Sequence, residues 1–255
     1  MSSLGVDYAW THPDPRTIKT AGYGFVVRYL SHDATKDITP DEATALHGAG
    51  LSVLLVFETT AGRAGQGQPA GAADRAEAEA RAAAFGYPQD CPIFYAVDFD
   101  AAPQQVAPYA AGLHGGAYPA GLYGGIHVVD AGLAPWLWQT EAWSAGQVSP
   151  AAHLFQRIGH TLPPLPGVPV DSYDEDVLCK PLPMWGGPVR EEDDMAQWWH
   201  DTDGTEWALD AVAKRRITSP AQRTDLQNVG LLSKTRRDVT TDVDRARLAQ
   251  TPEVK

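Results

Sequence analysis

The sequence predicts an α/β fold: a (β/α)8 TIM-like barrel with poorly covered last strands, followed by a small C-terminal α+β unit. Three observations carry this. Eight strand-like runs succeed one another in the first 180 residues, helix-like connections separate the earlier ones, and most runs end on a polar side chain. Strands alternating with helices imply a parallel sheet, and eight of them imply closure into a barrel. An open doubly wound sheet is the competing topology, and no Gly-rich phosphate loop supports it.

The candidate strands are "GVDYAW" (5–10), "GFVVRYL" (24–30), "LSVLLVFE" (51–58), "PIFYAVDF" (92–99), "AGLYGG" (120–125), "WLWQTEAW" (136–143), "HLFQRI" (153–158) and "GVPVDSY" (167–173). Between the second and third, Thr39 caps a helix, Pro40 takes its first position, and Gly48 and Gly50 end it. The Ala-rich stretch 72–86 is richer still in helix formers and stops at Gly86. The spacing is uneven: Asp7, Arg28, Glu58 and Asp98 are separated by 21, 30 and 40 residues, whereas Glu141, Gln156 and Asp171 are only 15 apart. A parallel crossover takes about a dozen residues or more, so the last strands have room for a helical turn or a loop only.

Domain boundaries follow from composition. Residues 1–182 form the barrel, 183–194 a Pro/Gly-rich acidic linker, 195–232 a small β-hairpin and helix unit, and 233–255 a charged tail. In the small unit "DTDG" separates two aromatic runs, a hairpin signal, and Ser219, Pro220 and Gly230 delimit a helix. A unit of about 40 residues is too small for an independent core, so it packs on the barrel or on a partner.

The net charge of −12 argues against a nucleic-acid partner. No apolar run reaches the ~20 residues of a membrane span, and the N-terminus lacks the basic and apolar regions of a signal peptide. Two distant cysteines exclude a disulfide framework and read as buried small hydrophobes. The eight histidines are scattered, which speaks against a transition-metal site; an acidic cage for Mg²⁺ or Ca²⁺ is the alternative, and no metal and no cofactor are expected.

Chemistry concentrates at the strand ends, where a parallel barrel builds its site. Acids end the first, third, fourth and eighth strands: Asp7, Glu58, the pair Asp98 and Asp100, and Asp171. These are the candidate catalytic residues. Ala96, Asp98 and Asp100 share one strand face, and Tyr95, Val97 and Phe99 the other, so the acids are expected at the barrel mouth. Two carboxyls held close raise one pKa, and a protonated acid beside an ionised one is the equipment for cleaving a glycosidic bond. Asp100 has a competing role as a helix cap. Arg28, paired with one of these acids, and Tyr29, Tyr95, Tyr123, Trp138, Trp143 and Gln156 are the candidate substrate-binding residues, the aromatics because sugar rings dock their apolar faces on such side chains.

Taken in order, "GVDYAW", "AGYGFVVRYLS", "GLSVLLVFETT", "PIFYAVDFD", "GLYGG", "WLWQTEAWS", "HLFQR" and "VDSYDEDVL" resemble the glycoside-hydrolase-like domain, formerly a domain of unknown function, of actinobacterial secreted proteins and actinobacteriophages. The resemblance spans roughly residues 4–178 and extends, more distantly, to the family 25 lysozymes. It implies that Asp7 matches their first-strand aspartate, Asp98 the first acid of their fourth-strand D-x-E motif, and Asp171 their last-strand aspartate. Asp100 stands where those lysozymes carry a glutamate proton donor, one methylene longer. The expected function is a glycosidase of cell-wall glycan (peptidoglycan), lysozyme-like, from a phage or an actinobacterium. The alternative is a non-catalytic barrel serving as a virion tail protein or wall-binding module, with other tail proteins contacted through the C-terminal unit. On either reading the protein belongs to a virion or is released at lysis and acts at the cell wall.

Overall fold

The computed structural model describes residues 4–158 and 164–186 in full, and the backbone of four strands beyond them. The chain divides into two units, Met1–Gly187 and Pro188–Lys255. The first is a closed eight-stranded barrel, β1 Leu4–Asp7, β2 Phe25–Leu30, β3 Ser52–Phe57, β4 Ile93–Ala96, β5 Ala120–Gly124, β6 Trp136–Thr140, β7 Leu154–Arg157 and β8 Asp174–Leu178.

Local sequence explains the wrapping. α1 (Pro15–Thr20) starts where Asp14 accepts a hydrogen bond from the Arg16 amide at 2.7 Å. α2 (Pro40–Gly48) is capped by Thr39, whose hydroxyl accepts from the Glu42 amide at 3.2 Å. α3 (Gln68–Ala84) is followed by Gly86 at φ 72°, a backbone conformation open to glycine. α4 (Pro103–Gly112) begins after Ala102, so Asp100 does not cap it. After β5 the cover thins. α5 (Ile126–Asp130) has five residues, and among the described residues between β7 and β8 the one helical element is a 3-10 turn at Val170–Ser172.

Strands β1 to β7 pair in parallel. The last strand departs from expectation in place and direction. It lies at Asp174–Leu178, not within 167–173, and runs antiparallel to both β7 and β1. The reason is chain length. The 16 residues between Arg157 and Asp174 are scant for a helical return across the barrel, but an antiparallel strand needs no return. The chain leaves β7 at the mouth and enters β8 at the mouth.

Two apolar layers hold the barrel. Inside it, Phe25, Val27, Leu54, Val56, Phe94, Ala96, Trp138 and Leu154 fill the lumen. Outside, Val26, Leu55, Phe57, Tyr95 and Val97 pack towards helix residues such as Ile18, Leu46, Ala78 and Val106. Lumen space is tight. A Cβ on Gly5 would lie 2.3 Å from the Phe25 ring, and one on Gly121 would lie 2.5 Å from Phe94, so two strands give up side chains to admit neighbouring rings. Past β8, Trp185 exchanges backbone hydrogen bonds with Val53 at 2.7 and 3.0 Å. The first residues of the segment read as a linker thus belong to the barrel unit. Of the two free cysteines, Cys91 is buried as expected but Cys179 is exposed.

The second unit contains a sheet of β9 (Ala196–His200), β10 (Glu206–Leu209), β11 (Lys214–Ile217) and β12 (Leu232–Asp238) in the order β11-β10-β9-β12. β9 and β10 pair antiparallel around "DTDG", the expected hairpin. β12 pairs parallel with β9 and lies where a charged tail was expected. The helix read over 219–230 lies outside the described residues.

Candidate functional site

A cleft of about 780 Å³ opens at the mouth of the barrel. Its floor comes from strand ends, as a barrel requires. Asp7 closes β1 and is only 3% exposed. The Tyr29 hydroxyl, from β2, donates to its Oδ1 at 3.0 Å, and Gln156 Nε2, from β7, donates to its Oδ2 at 2.7 Å. The Tyr123 hydroxyl, from β5, donates in turn to Gln156 Oε1 at 2.8 Å. Four strands thereby fix one carboxyl. Burial, and then the negative charge of Asp174, push the Asp7 pKa up to about 7, against the pull of the Gln156 and Tyr29 hydrogen bonds.

Asp174 stands opposite Asp7 in the β1–β8 ladder. Two residues further on, Asp176 is fully buried, and Trp138 Nε1 donates to its Oδ1 at 2.8 Å. Its Oδ2 has no hydrogen-bond partner among the described residues. Burial and the charge of Asp7 hold its carboxyl well above the ordinary range. A neutral acid is the form such a site tolerates, because an isolated buried charge is far costlier.

Glu58, just past β3, pairs with Lys36 at 2.6 Å. The Lys36 ammonium also lies 4.1 Å from the Tyr29 ring centroid. Asp98 lies just beyond β4, half-buried and lining the cleft, and its carboxylate makes no hydrogen bond or ion pair among the described residues. Ala96 faces the lumen while Tyr95 and Val97 face the helices, the parity the sequence implied.

The remaining candidates divide. Tyr29, Tyr123, Trp138, Trp143, Gln156 and Asp171 line the cleft together with Asp7, Glu58 and Asp98. Trp143 stands at φ 55°, an uncommon conformation for a bulky residue, in a turn pinned by buried Ser144, whose Oγ accepts from the Ile126 amide and donates to the Thr140 carbonyl. Asp171 lies exposed on the 3-10 turn before β8, not at a strand end. Asp100 is exposed beyond the bend at Phe99 and does not line this cleft. Tyr95 packs in the outer layer against Phe57, the ring centroids 6.1 Å apart. Arg28 is fully buried and pairs with none of the expected acids. Its guanidinium donates to both carboxylate oxygens of Glu42 on α2, at 2.7 and 3.2 Å, and to the Tyr8 and Lys36 carbonyls. Burial pushes the Glu42 carboxyl up, but the Arg28 hydrogen bonds and charge prevail and hold it below the usual range. Arg28 shapes the cleft wall from behind.

Sequence reasoning missed Trp10, Lys36, Asp174 and Asp176. The "DED" at 174–176 carried the same two-residue alternation as Asp98 and Asp100, and reading the strand as parallel hid it. Lys36 sits in a loop, where periodicity gives no signal. Among the described residues, no group of His, Cys, Asp or Glu side chains is arranged to hold a metal ion, and no helix is long and apolar enough to cross a membrane.

Comparison with known proteins bears on the family and the fold. The family model described as "Rv2525c-like, glycoside hydrolase-like domain" matches residues 16–210. The Tat-secreted protein Rv2525c of Mycobacterium tuberculosis, crystallised with HEPES, superposes at a TM-score of 0.64 with 25% identity, over 72% of this chain and 100% of that one. An uncharacterized B. stearothermophilus protein superposes at 0.52 with 18% identity, over 69% and 96% of the two chains, which shows the fold alone. A lysozyme of Streptomyces coelicolor follows at 0.46 and 12% identity, over 69% and 92%, too slight a likeness to bear on chemistry. No curated protein matches the chain. The matched model spans the barrel from α1 onward, with β1 and Asp7 ahead of it, and the chain belongs to the Rv2525c-like, glycoside hydrolase-like domain family.

Proposed function

We propose that the barrel acts on bacterial cell-wall glycan, as a glycosidase of peptidoglycan. The observation that carries this reading is the pairing of two unlike carboxyls in one aromatic-lined cleft: Asp7, which holds its proton up to about pH 7, and Asp98, which has no protein partner among the described residues. Glycosidic cleavage needs one protonated acid and one carboxylate on the same bond. Asp7 is the proton donor in this scheme, held ready by Tyr29 and Gln156. Asp98 faces the developing positive charge at the anomeric carbon. Burial and the charge of Asp174 keep the Asp7 pKa high, and Lys36 neutralises Glu58. Tyr123 and Trp143 receive the sugar, above a floor that buried Trp138 supports. Asp171, at the exposed rim, contacts the glycan from the side, and Asp100 has no part in the reaction.

The acidic lining argues against nucleic acid as a ligand. Export of the M. tuberculosis relative supports action outside the cytoplasm, at the wall. We place the protein in a phage virion or among proteins released at lysis, with the C-terminal unit contacting other tail proteins. One observation favours a second reading, a barrel that binds wall glycan without cleaving it: Asp100, at the position where the family 25 lysozymes carry their acid, lies outside the cleft.

Purified protein incubated with actinobacterial peptidoglycan separates the two. New reducing ends from the wild type, and at least a hundredfold fewer from Asp98→Asn and from Asp7→Asn, are expected. Equal release from all three ends the enzyme reading. Cosedimentation with the same peptidoglycan but no release selects the binding one.

A further inference from the structure

Trp10 is 67% exposed, the most exposed of the large apolar side chains among the described residues. It follows β1 and lines the same cleft as Asp7 and Asp98. A freely rotating surface indole would need no explanation, but this one is fixed. Its Nε1–H donates to Asp33 Oδ2 at 3.1 Å, across 23 residues of chain. Asp33 is itself fixed, since its Oδ1 accepts from the Thr35 amide at 2.9 Å and the Thr35 hydroxyl at 2.7 Å. The Lys36 ammonium lies over the Trp10 ring, 5.3 Å from its centroid, and is anchored by Glu58. The polar edge of the indole is thus occupied by protein, and what it presents outward is apolar surface in a set orientation. Trp143, 37% exposed, lines the cleft from the loop after β6.

We propose that Trp10 is a sugar-stacking platform at the β1 lip of the cleft, holding a pyranose ring of an extended glycan next to the one bound over Asp7 and Asp98. This rests on the glycan reading above and adds a positioning residue to it. A pyranose fits the chemistry. Its axial C–H face stacks on an aromatic ring, while its equatorial hydroxyls stay in water at an exposed rim. An anionic ligand is disfavoured by Asp98, Asp171 and Asp174 in the same cleft. An apolar peptide would need a broader dry surface than one indole supplies. A rigid, pre-oriented ring contributes affinity because little freedom is lost on binding.

The test is calorimetric titration of the wild type, Trp10→Ala, Trp10→Phe and Asp33→Ala with the N-acetylglucosamine tetramer and with soluble, uncross-linked peptidoglycan strands. Trp10→Ala is expected to weaken binding about tenfold, the worth of one aromatic stacking contact. Trp10→Phe should keep most of the affinity, and Asp33→Ala should lose part of it by freeing the indole. If hydrolysis is measurable, Trp10→Ala should raise KM and leave kcat within about twofold, as loss of uniform binding does. The exposed position means the melting temperature should not move, which excludes unfolding as the cause. Wild-type affinity unchanged in Trp10→Ala, with both ligands, overturns the platform and leaves the glycan reading standing. No binding of either ligand to the wild type overturns both.

Discussion

Asp7 on β1 stands directly opposite Asp174 on β8, two like charges facing each other across an antiparallel ladder. Like charges so placed are destabilising. The barrel meets this by letting Asp7 keep its proton to about pH 7. An ordinary aspartate in the unfolded chain loses its proton near pH 4. Between those values the folded state binds the extra proton, so this group's contribution to stability is present at low pH and is lost as pH rises towards 7. Stability should fall with pH across that window, by at most about 1.4 kcal/mol per pH unit for one group. Asp7→Asn should flatten the profile and be more stable than the wild type at pH 8. The Tyr29 hydroxyl can turn to accept from the new amide. Urea melts from pH 4.5 to 8.5 check this, and parallel curves for the two proteins would contradict it.

Arg28 and Glu42 make the opposite prediction. Here a buried cation has its anion, and each satisfies the other. Arg28→Ala should cost about 3–5 kcal/mol, because a carboxylate is left without its partner. Adding Glu42→Gln to that variant should recover part of the loss. A double-mutant cycle by denaturant unfolding measures the coupling, and additive losses would show that the pair does not act as a unit.

Gly5 is a packing residue. Alanine there would push its Cβ into the Phe25 ring. The expected cost of Gly5→Ala is about 1–3 kcal/mol, the usual penalty of overpacking. Phe25→Leu in the same chain should relieve it. Thermal melts of the single and double variants decide the matter, and a neutral Gly5→Ala would mean the lumen can yield.

Trp143 carries backbone strain in a turn beside the cleft. Its Cβ and carbonyl also lie against Gly125, where an added Cβ would meet them at 2.9 and 3.0 Å. Trp143→Gly should relieve the positive φ and stabilise the fold by about 1 kcal/mol. The same change should weaken glycan binding. Melting temperature and titration with the N-acetylglucosamine tetramer, read together, test this trade. A variant that loses stability, or one that binds as well as the wild type, counts against a role for the strained turn in binding.

The barrel was legible because its cues are local. Continuous apolar runs at "SVLLVF" and "IFYA" mark strands with two buried faces, and Thr39-Pro40 marks a helix start through cap chemistry that needs no tertiary partner. Strand-end placement also followed from parity, and with it came Asp7, Glu58 and Asp98. The direction of β8 was beyond such cues. A strand reads alike in either sense, and only the need to close the barrel across a 16-residue connection reverses it, moving the acids from Asp171 to Asp174 and Asp176. Loop positions were equally silent. Lys36 and Trp10 enter the cleft because Glu58 and Asp33 draw them there, and Asp100 leaves it because the chain bends at Phe99. Sequence alone determined the first seven barrel strands and the acids Asp7, Glu58 and Asp98 at or just past their ends. Tertiary structure decided which of those charges meet, because burial and through-space proximity, not spacing along the chain, set whether a carboxyl holds its proton.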